Sequence, residues 1–439
     1  MTATAGASRT PVALYVHFPF CISVCPYCDF VVYGGRAARG PDARVAALVD
    51  ALVTEIELRA RHATLDSVYL GGGTPSLMSA GQVERLLAAA ETAFGFSSDA
   101  EITIEINPGG GERGDLRGFR AAGANRLSIG AQSLSAAELR RLGRRHSPAD
   151  VADTVGEARR AGFDDVSLDL LYDVPGQSVD GWRRTLAAAL GLEPDHVSAY
   201  ALTLDGGAGN GPPSATDDHL AHRAGALRWR ARAAAEQDAD RAADMYEVAD
   251  EMLERAGLAW YELSNWARPG RASRHNLAYW RGAPWEAVGP GAHAFDGGRT
   301  RRWNAANLDR YLAALEAGRL PPGGRDVTDE AMAAAERAIL QLRTSQGLSP
   351  EVLARAGTGA ALAWAEAHGL AEPTAEGGRR LALRGRLLAN EVFARILPPS
   401  ASVGDADRRD HGSSGLDGRA PFGYRATDQD RQDAALDVD

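Results

Sequence analysis

Cys21-Ile22-Ser23-Val24-Cys25-Pro26-Tyr27-Cys28 follows closely on the apolar run Val12-Ala13-Leu14-Tyr15-Val16-His17-Phe18. The chain has 439 residues and three cysteines, all in this loop, so no thiol elsewhere can pair with them. The C-x-x-x-C-x-x-C spacing gathers three soft ligands. It suits a 4Fe-4S cluster with three irons held by protein and the fourth open to a small molecule. Two other readings of these residues stay open. One is a structural zinc knot with His17 or Asp29 as fourth ligand. The other is a redox-active dithiol.

Working outward, the pattern of Val12–Phe18 repeats. Candidate strands begin at Ser67 (SVYLGGG), Glu101 (EITIEIN), Arg126 (RLSIGAQ), Asp165 (DVSLDLLYDVP) and His196 (HVSAYALTL). Amphipathic stretches such as ARVAALVDALVTEIELRAR and AGQVERLLAAAETAF lie between them, with Leu86, Leu87 and Phe94 at helical spacing. Strands alternating with helices predict parallel βα units, with near-continuous apolar strands covered by helices. The expected fold is α/β, a partial (βα)6 TIM-like barrel followed by a smaller α-rich C-terminal domain. In such a barrel, function sits in the loops after the strand C-termini. The informative motifs fall there: the cysteines, Gly71 to Ser76, Asn107-Pro108 and Gln132.

The expected division is a flexible N-terminus over 1–11, a barrel core over 12–244, a second region over 245–399 and a tail over 400–439. Asp205 to Asn210, with Pro212 and Pro213, reads as a linker. Leu220 to Asp244 is helical and rich in Ala and Arg, with no evident chemistry. The second region starts helical, turns aromatic and turn-rich after Gly257, and ends in short helices from Thr328 to Leu397. The acidic tail, poor in apolar residues, reads as disordered.

Composition excludes several classes. Hydrophobic residues make up 45% and charged residues 24%, as in ordinary globular proteins. A net charge of -10 argues against a nucleic-acid partner. Apolar runs fall short of a membrane span. The first residues lack the apolar core of a secretory signal, and unpaired clustered thiols point to a reducing cytoplasm. Every basic residue is arginine, which together with abundant Ala and Gly reads as codon bias.

Gly71-Gly72-Gly73-Thr74-Pro75 lets the backbone approach a ligand and expose its N–H groups, although a tight turn is the plainer reading. Glu105, Gln132, Arg144 and Asp169 are polar residues at the same end of the predicted barrel. Glu105 in ITIEIN and Asp169 in VSLDLL interrupt apolar runs, which is costly without partners. Each alone is most simply a bond to a neighbouring loop. Together at one mouth they would grip amino, carboxylate and ribose groups.

The ordered set YVHFPFCISVCPYC, GGGTPS, EINP, IGAQS, LGRRH and DLLYDVPGQ resembles the radical S-adenosylmethionine (SAM) superfamily. Within it, the chain is similar to the family of oxygen-independent coproporphyrinogen III oxidases and HemW heme chaperones, from Leu14 to Leu397. The resemblance implies that Cys21, Cys25 and Cys28 bind a 4Fe-4S cluster whose open iron takes SAM. It implies Tyr15 and Tyr27 beside cluster and SAM, and Gly72, Gly73 and Thr74 at the methionine end. Glu105, Gln132, Arg144, Asp169 and the backbone of Ala201 would complete the pocket.

Two features favour the chaperone branch. The oxidase pattern has a fourth cysteine two residues after the third, where this chain has Phe30. The oxidase also carries a long segment before the cluster, whereas here Cys21 follows twenty residues. His275-Asn276-Leu277-Ala278-Tyr279 matches the H-N-x-x-Y motif associated with heme. His275, Asn276 and Tyr279 are therefore the expected heme residues, with Arg268, Arg271 and Arg274 for propionates and Trp280 and Trp285 for a porphyrin face. A histidine in such a loop is otherwise solvated or structural. His293 in GPGAHAF is a further candidate ligand or a structural residue.

The implied function is binding of heme, cluster and SAM, with heme passed to an acceptor such as a respiratory enzyme. An electron donor for the cluster and peripheral membrane contact through the acceptor go with it. The alternatives are oxidative decarboxylation of coproporphyrinogen III and a zinc-stabilised binding protein without redox role. Two departures stand against the resemblance: Asp173 where glycine is common, adding charge near the mouth, and an unusual stretch from Gly206 to Arg241.

Overall fold

The computed structural model describes residues 10–34, 43–204, 224–355 and 358–398. Most of the expected N-terminal segment, the linker from Asp205 and the tail from residue 400 lie outside them. The six expected strands are present: β1 (Ala13–Phe18), β2 (Leu65–Gly72), β3 (Phe96–Ile106), β4 (Arg126–Gln132), β5 (Asp165–Tyr172) and β6 (His196–Ala201). Each pairs in parallel with the next, and helices fill the connections.

The strands alternate; they are not apolar throughout. Leu14, Val16 and Phe18 of β1, and Val68 and Leu70 of β2, are buried in the core with the covering helices. Tyr15, His17, Ser67 and Tyr69 sit between them on the opposite, concave face. Period-2 alternation with one apolar face follows directly. The helix Ala80–Phe94 begins in a capping box of Ser79 and Gln82 and buries Val83, Leu86, Leu87, Ala90 and Phe94.

The stretch after Gly257 adds six short strands: β7 (Ala259–Glu262), β8 (Asn265–Ala267), β9 (Trp285–Val288), β10 (His293–Phe295), β11 (Thr300–Asn304) and β12 (Gly323–Val327). Strands of three to five residues carry too few positions for a readable period. They extend the same sheet at both edges, in the order β12-β11-β10-β9-β1-β2-β3-β4-β5-β6-β8-β7. Strand β9 runs parallel to β1, and β8 antiparallel to β6.

The helix Arg274–Trp280 lies on the concave face, where His275 meets Ser67. Short helices between Glu330 and Ile396 form the expected α-rich module. A buried bidentate pair ties it to the rest: Arg386 donates to Asp250 at 2.8 and 2.6 Å, and Trp266 Nε1 donates to the same carboxylate at 2.9 Å. Among the described residues no helix is long and apolar enough to cross a membrane.

Candidate functional site

Beyond Phe18 the chain turns over the end of the sheet into the cysteine loop. Gly73 N donates to Phe18 O at 2.7 Å and Thr74 N to Phe20 O at 2.8 Å, which stitches the glycine turn to this entry. Gly72 has φ +113°, and a Cβ there would stand 2.5 Å from the His17 ring. A Cβ at Gly73 would stand 2.6 Å from Phe20 O. Side chains are therefore excluded where the turn passes under the loop.

The three thiols are half-buried and unpaired. Thr74 Oγ1 donates toward Cys21 Sγ at 3.5 Å, and Arg144 donates toward Cys25 Sγ at 3.6 Å. Burial pushes Cys21 up to about 12 and Cys28 up to about 11. The Cys21 and Cys28 thiols are therefore held neutral, and a cationic iron centre would have to displace their protons. Both expected fourth ligands for zinc are engaged elsewhere. The His17 ring lies between Tyr15 Oη at 2.9 Å and Val31 O at 2.8 Å, and Asp29 pairs with Arg230. Among the described residues no three His, Cys, Asp or Glu converge as a single-ion site requires. The donor set fits a cluster with three protein ligands better than one zinc ion.

Of the polar residues expected at the mouth, Gln132 and Arg144 come together around Gly130. A Cβ on Gly130 would stand 3.1 Å from Gln132 Nε2, 3.2 Å from Asn107 Oδ1 and 3.3 Å from Arg144 NH2, so these three side chains ring one bare backbone position. Arg144 donates to Asn107 Oδ1 at 2.6 Å and to Gly130 O at 2.8 Å. Asn107 Nδ2 donates in turn to Thr74 Oγ1 at 3.0 Å and to Glu112 at 2.9 Å. Gln132 holds φ +62°, a left-handed conformation rare for its type.

Glu105 accepts from Tyr69 Oη at 2.8 Å and Gly72 N at 2.9 Å. Burial outweighs these bonds and raises its carboxyl to about 7. Asp169 accepts from Ser128 at 2.8 Å, and burial likewise raises it. Tyr27 packs with Leu142, Leu171 and Leu202 and faces Trp229. Ala201 ends β6 with its carbonyl 3.4 Å from Thr203 Oγ1. Phe30, where the oxidase pattern has cysteine, is 65% exposed.

Some contributors went unread in the sequence. Arg230, in the helix Ala224–Ala234, donates to Pro26 O at 3.0 Å and Cys28 O at 2.9 Å, clamping the cysteine loop. An arginine in an Arg-rich helix gives no such signal in advance. Asp173 is buried at φ +55° and bonded by Arg241 Nε at 2.9 Å. The two departures from the family pattern thus contain a matched pair, and the charge at Asp173 is neutralised before it reaches the mouth.

The heme residues expected at His275, Asn276 and Tyr279 sit at the other end of the barrel. His275 is 1% exposed, with Nδ1 3.0 Å from Ser67 Oγ and Nε2 2.8 Å from Tyr279 Oη. Its ring packs against Tyr69 and Tyr279. The Asn276 backbone N–H donates to the capping Ser273 Oγ at 3.3 Å. Glu101 accepts from Arg274 N at 2.8 Å, His275 N at 3.1 Å and Ser273 Oγ at 3.2 Å, fixing the helix start. Axial ligation needs a ring nitrogen facing open space. His275 offers none in this arrangement, so it does not fit as an iron ligand, and the loop expected around it is an inward-facing helix.

Residues 15–189 match the Radical SAM superfamily. The heme chaperone HemW of Mycobacterium tuberculosis (strain H37Rv) is 39% identical over 399 residues, covering 88% of this chain and 95% of that protein. The heme chaperone HemW of Escherichia coli (strain K12) is 34% identical over 322 residues, covering 72% and 79%. Among solved structures, coproporphyrinogen III oxidase (HemN) from Escherichia coli superposes with a TM-score of 0.71 over 89% of this chain and 91% of that one, at 22% identity. That last likeness is one of fold. With relatives 34% and 39% identical of which the chain covers 79% and 95%, the chain belongs to the HemW family within the radical SAM superfamily.

Proposed function

We propose that this protein is a heme chaperone that carries a 4Fe-4S cluster and SAM at the barrel mouth and delivers heme to an acceptor protein. The observation that carries the cluster and SAM part is the convergence of three unpaired thiols, a glycine turn and the Arg144–Asn107–Thr74 chain at one end of the barrel. The heme part is supported by the HemW relatives.

Cys21, Cys25 and Cys28 would each hold one iron. When bound, the cluster supplies a single electron and one iron open to the amino and carboxylate groups of SAM. Arg144 holds positive charge beside Cys25. Gly72, Gly73 and Thr74 present backbone and hydroxyl to the methionine end. Glu105, aimed by Tyr69 and Gly72, accepts an ammonium. Gln132, Asp169 and the Ala201 backbone line the remainder, while Tyr15 and Tyr27 wall the cluster side. His275, Asn276 and Tyr279 form the floor on which this pocket rests.

The core spans 12–244, and 245–399 form the C-terminal region. Three unpaired thiols suit the reducing cytoplasm. Acceptors are respiratory heme enzymes, reached by peripheral contact with their membrane, and a reductase or small electron carrier serves the cluster.

The test is anaerobic reconstitution with iron and sulfide, followed on one sample by heme titration and a coproporphyrinogen III assay. The expected result is a brown protein with about four irons per chain, a Soret band on adding heme, and no protoporphyrinogen. Substantial conversion of coproporphyrinogen would replace this reading with the oxidase one. A colourless protein holding stoichiometric zinc would remove both.

A further inference from the structure

Two of the three thiols are approached from the barrel side through a single amide. Thr74 follows β2, Asn107 follows β3, and Arg144 follows the helix Ala136–Arg141. Thr74 Oγ1 reaches toward Cys21 Sγ at 3.5 Å, and Arg144 reaches toward Cys25 Sγ at 3.6 Å. Among the described residues Asn107 bonds to both of these donors and to neither sulfur. Its Oδ1 accepts from Arg144 at 2.6 Å. Its Nδ2 donates to Thr74 Oγ1 at 3.0 Å and to Glu112 Oε2 at 2.9 Å.

Counting hydrogens leaves one arrangement. Both Nδ2 hydrogens of Asn107 are given away, one of them to a carboxylate that can only accept. The amide oxygen faces a guanidinium that can only donate. A flipped amide would oppose like groups at both ends, so its orientation is fixed. Because the Thr74 oxygen accepts from Asn107, the single hydroxyl hydrogen is left for Cys21. Thr74 is buried, so solvent does not compete for it. Glu112 is anchored in turn: its N–H donates to Gly109 O at 2.8 Å, and Arg145 Nε lies 3.7 Å from its carboxylate. Asn107, Glu112, Arg144, Ser23 and Cys25 line one cavity against the cysteine loop.

We propose that Asn107, anchored by Glu112, is a positioning residue that sets the reduction potential of the cluster by aiming Thr74 at Cys21 and Arg144 at Cys25. Asn107 has this role only if the cluster reading above holds. Reduction adds one electron to the cluster, and part of the added negative charge falls on the ligand sulfurs. Hydrogen bonds and positive charge directed at those sulfurs favour the reduced form and raise the potential. One amide orders both donors, so its loss is felt at two ligands at once. An apolar side chain at 107 would leave Arg144 only Gly130 O, which it already bonds at 2.8 Å, and would free the Thr74 hydroxyl to rotate.

The experiment is an EPR-monitored redox titration of the anaerobically reconstituted full chain without SAM. It compares wild type, Asn107→Leu and Asn107→Asp, each with and without Thr74→Val, with iron content measured on the same samples. Asn107→Leu should keep about four irons. Its reduction equilibrium should move threefold or more toward the oxidised cluster, a midpoint lower by about 30 mV at 59 mV per decade for one electron. Asn107→Asp keeps an acceptor for Arg144 but offers Thr74 a competing one. It should therefore lower the midpoint as well, and it serves as the test if the leucine variant loses iron. In the Thr74→Val background both shifts should shrink, because one of the two donors that Asn107 aims is already gone. An unchanged midpoint in both variants would overturn the proposal. Shifts of equal size in the two backgrounds would also overturn it, since the effect would not pass through Thr74. Loss of iron from both variants would make Asn107 a residue of assembly and would overturn it too. Wild type that assembles no cluster would overturn the cluster reading itself.

Discussion

The two ends of the barrel carry motif residues of the same family and have opposite physical characters. At the mouth, thiols are unpaired, Gln132 sits in a left-handed conformation, and the Glu105 carboxyl is lifted to about 7 by burial. At the floor, Glu101 takes three donors and His275 has a partner on each ring nitrogen. Unmet bonding capacity at the mouth is what a ligand completes. Saturated bonding at the floor is what keeps the ligand's platform still. Membership of a motif therefore does not reveal whether a residue binds or supports; its unspent hydrogen bonds do.

The largest effect that would break this contrast lies at the mouth. Cys25→Ser should abolish the cluster: iron per chain falls from about four to below one, and the brown colour is lost. The stability of the metal-free chain should change by less than about 0.5 kcal/mol in chemical denaturation, since the thiol is half-exposed. A variant that keeps its iron, or that fails to fold without metal, would show that the two ends are not separable in this way.

The floor should behave in the opposite sense. His275→Ala removes a buried ring and leaves Ser67 and Tyr279 without a partner, a loss of roughly 2–4 kcal/mol in chemical denaturation. Cluster iron per folded chain should be unchanged. Burial depresses His275 to about 3 from its ordinary 6.5. Its contribution is thus complete above pH 6.5 and is lost as pH falls toward 3. Wild type should lose stability over that interval more steeply than the variant. Equal slopes would mean that the ring is not held neutral by the floor.

Much of this was legible in the sequence, for physical reasons. The six core strands were readable because each runs six residues or more and carries apolar residues at alternate positions. The helix Ala80–Phe94 was readable because Leu86, Leu87 and Phe94 keep helical spacing; the Ser79–Gln82 capping box that starts it emerged only in the structure. Strands β7 to β12 were not, being too short to show a period and stabilised by edges of a sheet already formed. At the mouth, position along the strands was legible: Thr74, Asn107, Gln132 and Arg144 all lie at or beyond strand ends and come together around Gly130. His275 misled because an imidazole is equally suited to iron and to two hydrogen bonds. Only its neighbours decide, and Ser67 is 208 residues away in the chain. Arg230 and Asp173 were opaque for the same reason: their meaning lies in partners brought by the fold.

The smallest expected effect is also the sharpest probe of the mouth. Glu105 has a folded pKa of about 7 against an ordinary 4.5, because burial outweighs the bonds from Tyr69 and Gly72. A raised carboxyl favours folding in its protonated form. Its contribution is full below pH 4.5 and is lost as pH rises toward 7. The ligand-free Glu105→Gln variant should therefore gain stability over wild type across that window, by at most about 3 kcal/mol, and no further above it. SAM should reverse the ranking. Its ammonium stabilises the carboxylate, so wild-type affinity should climb with pH until about 7 and then level off, while the Gln variant binds more weakly and without that rise. Parallel pH curves for the two proteins would place the ammonium somewhere other than Glu105. The strain at the mouth would then need a different ligand group to explain it.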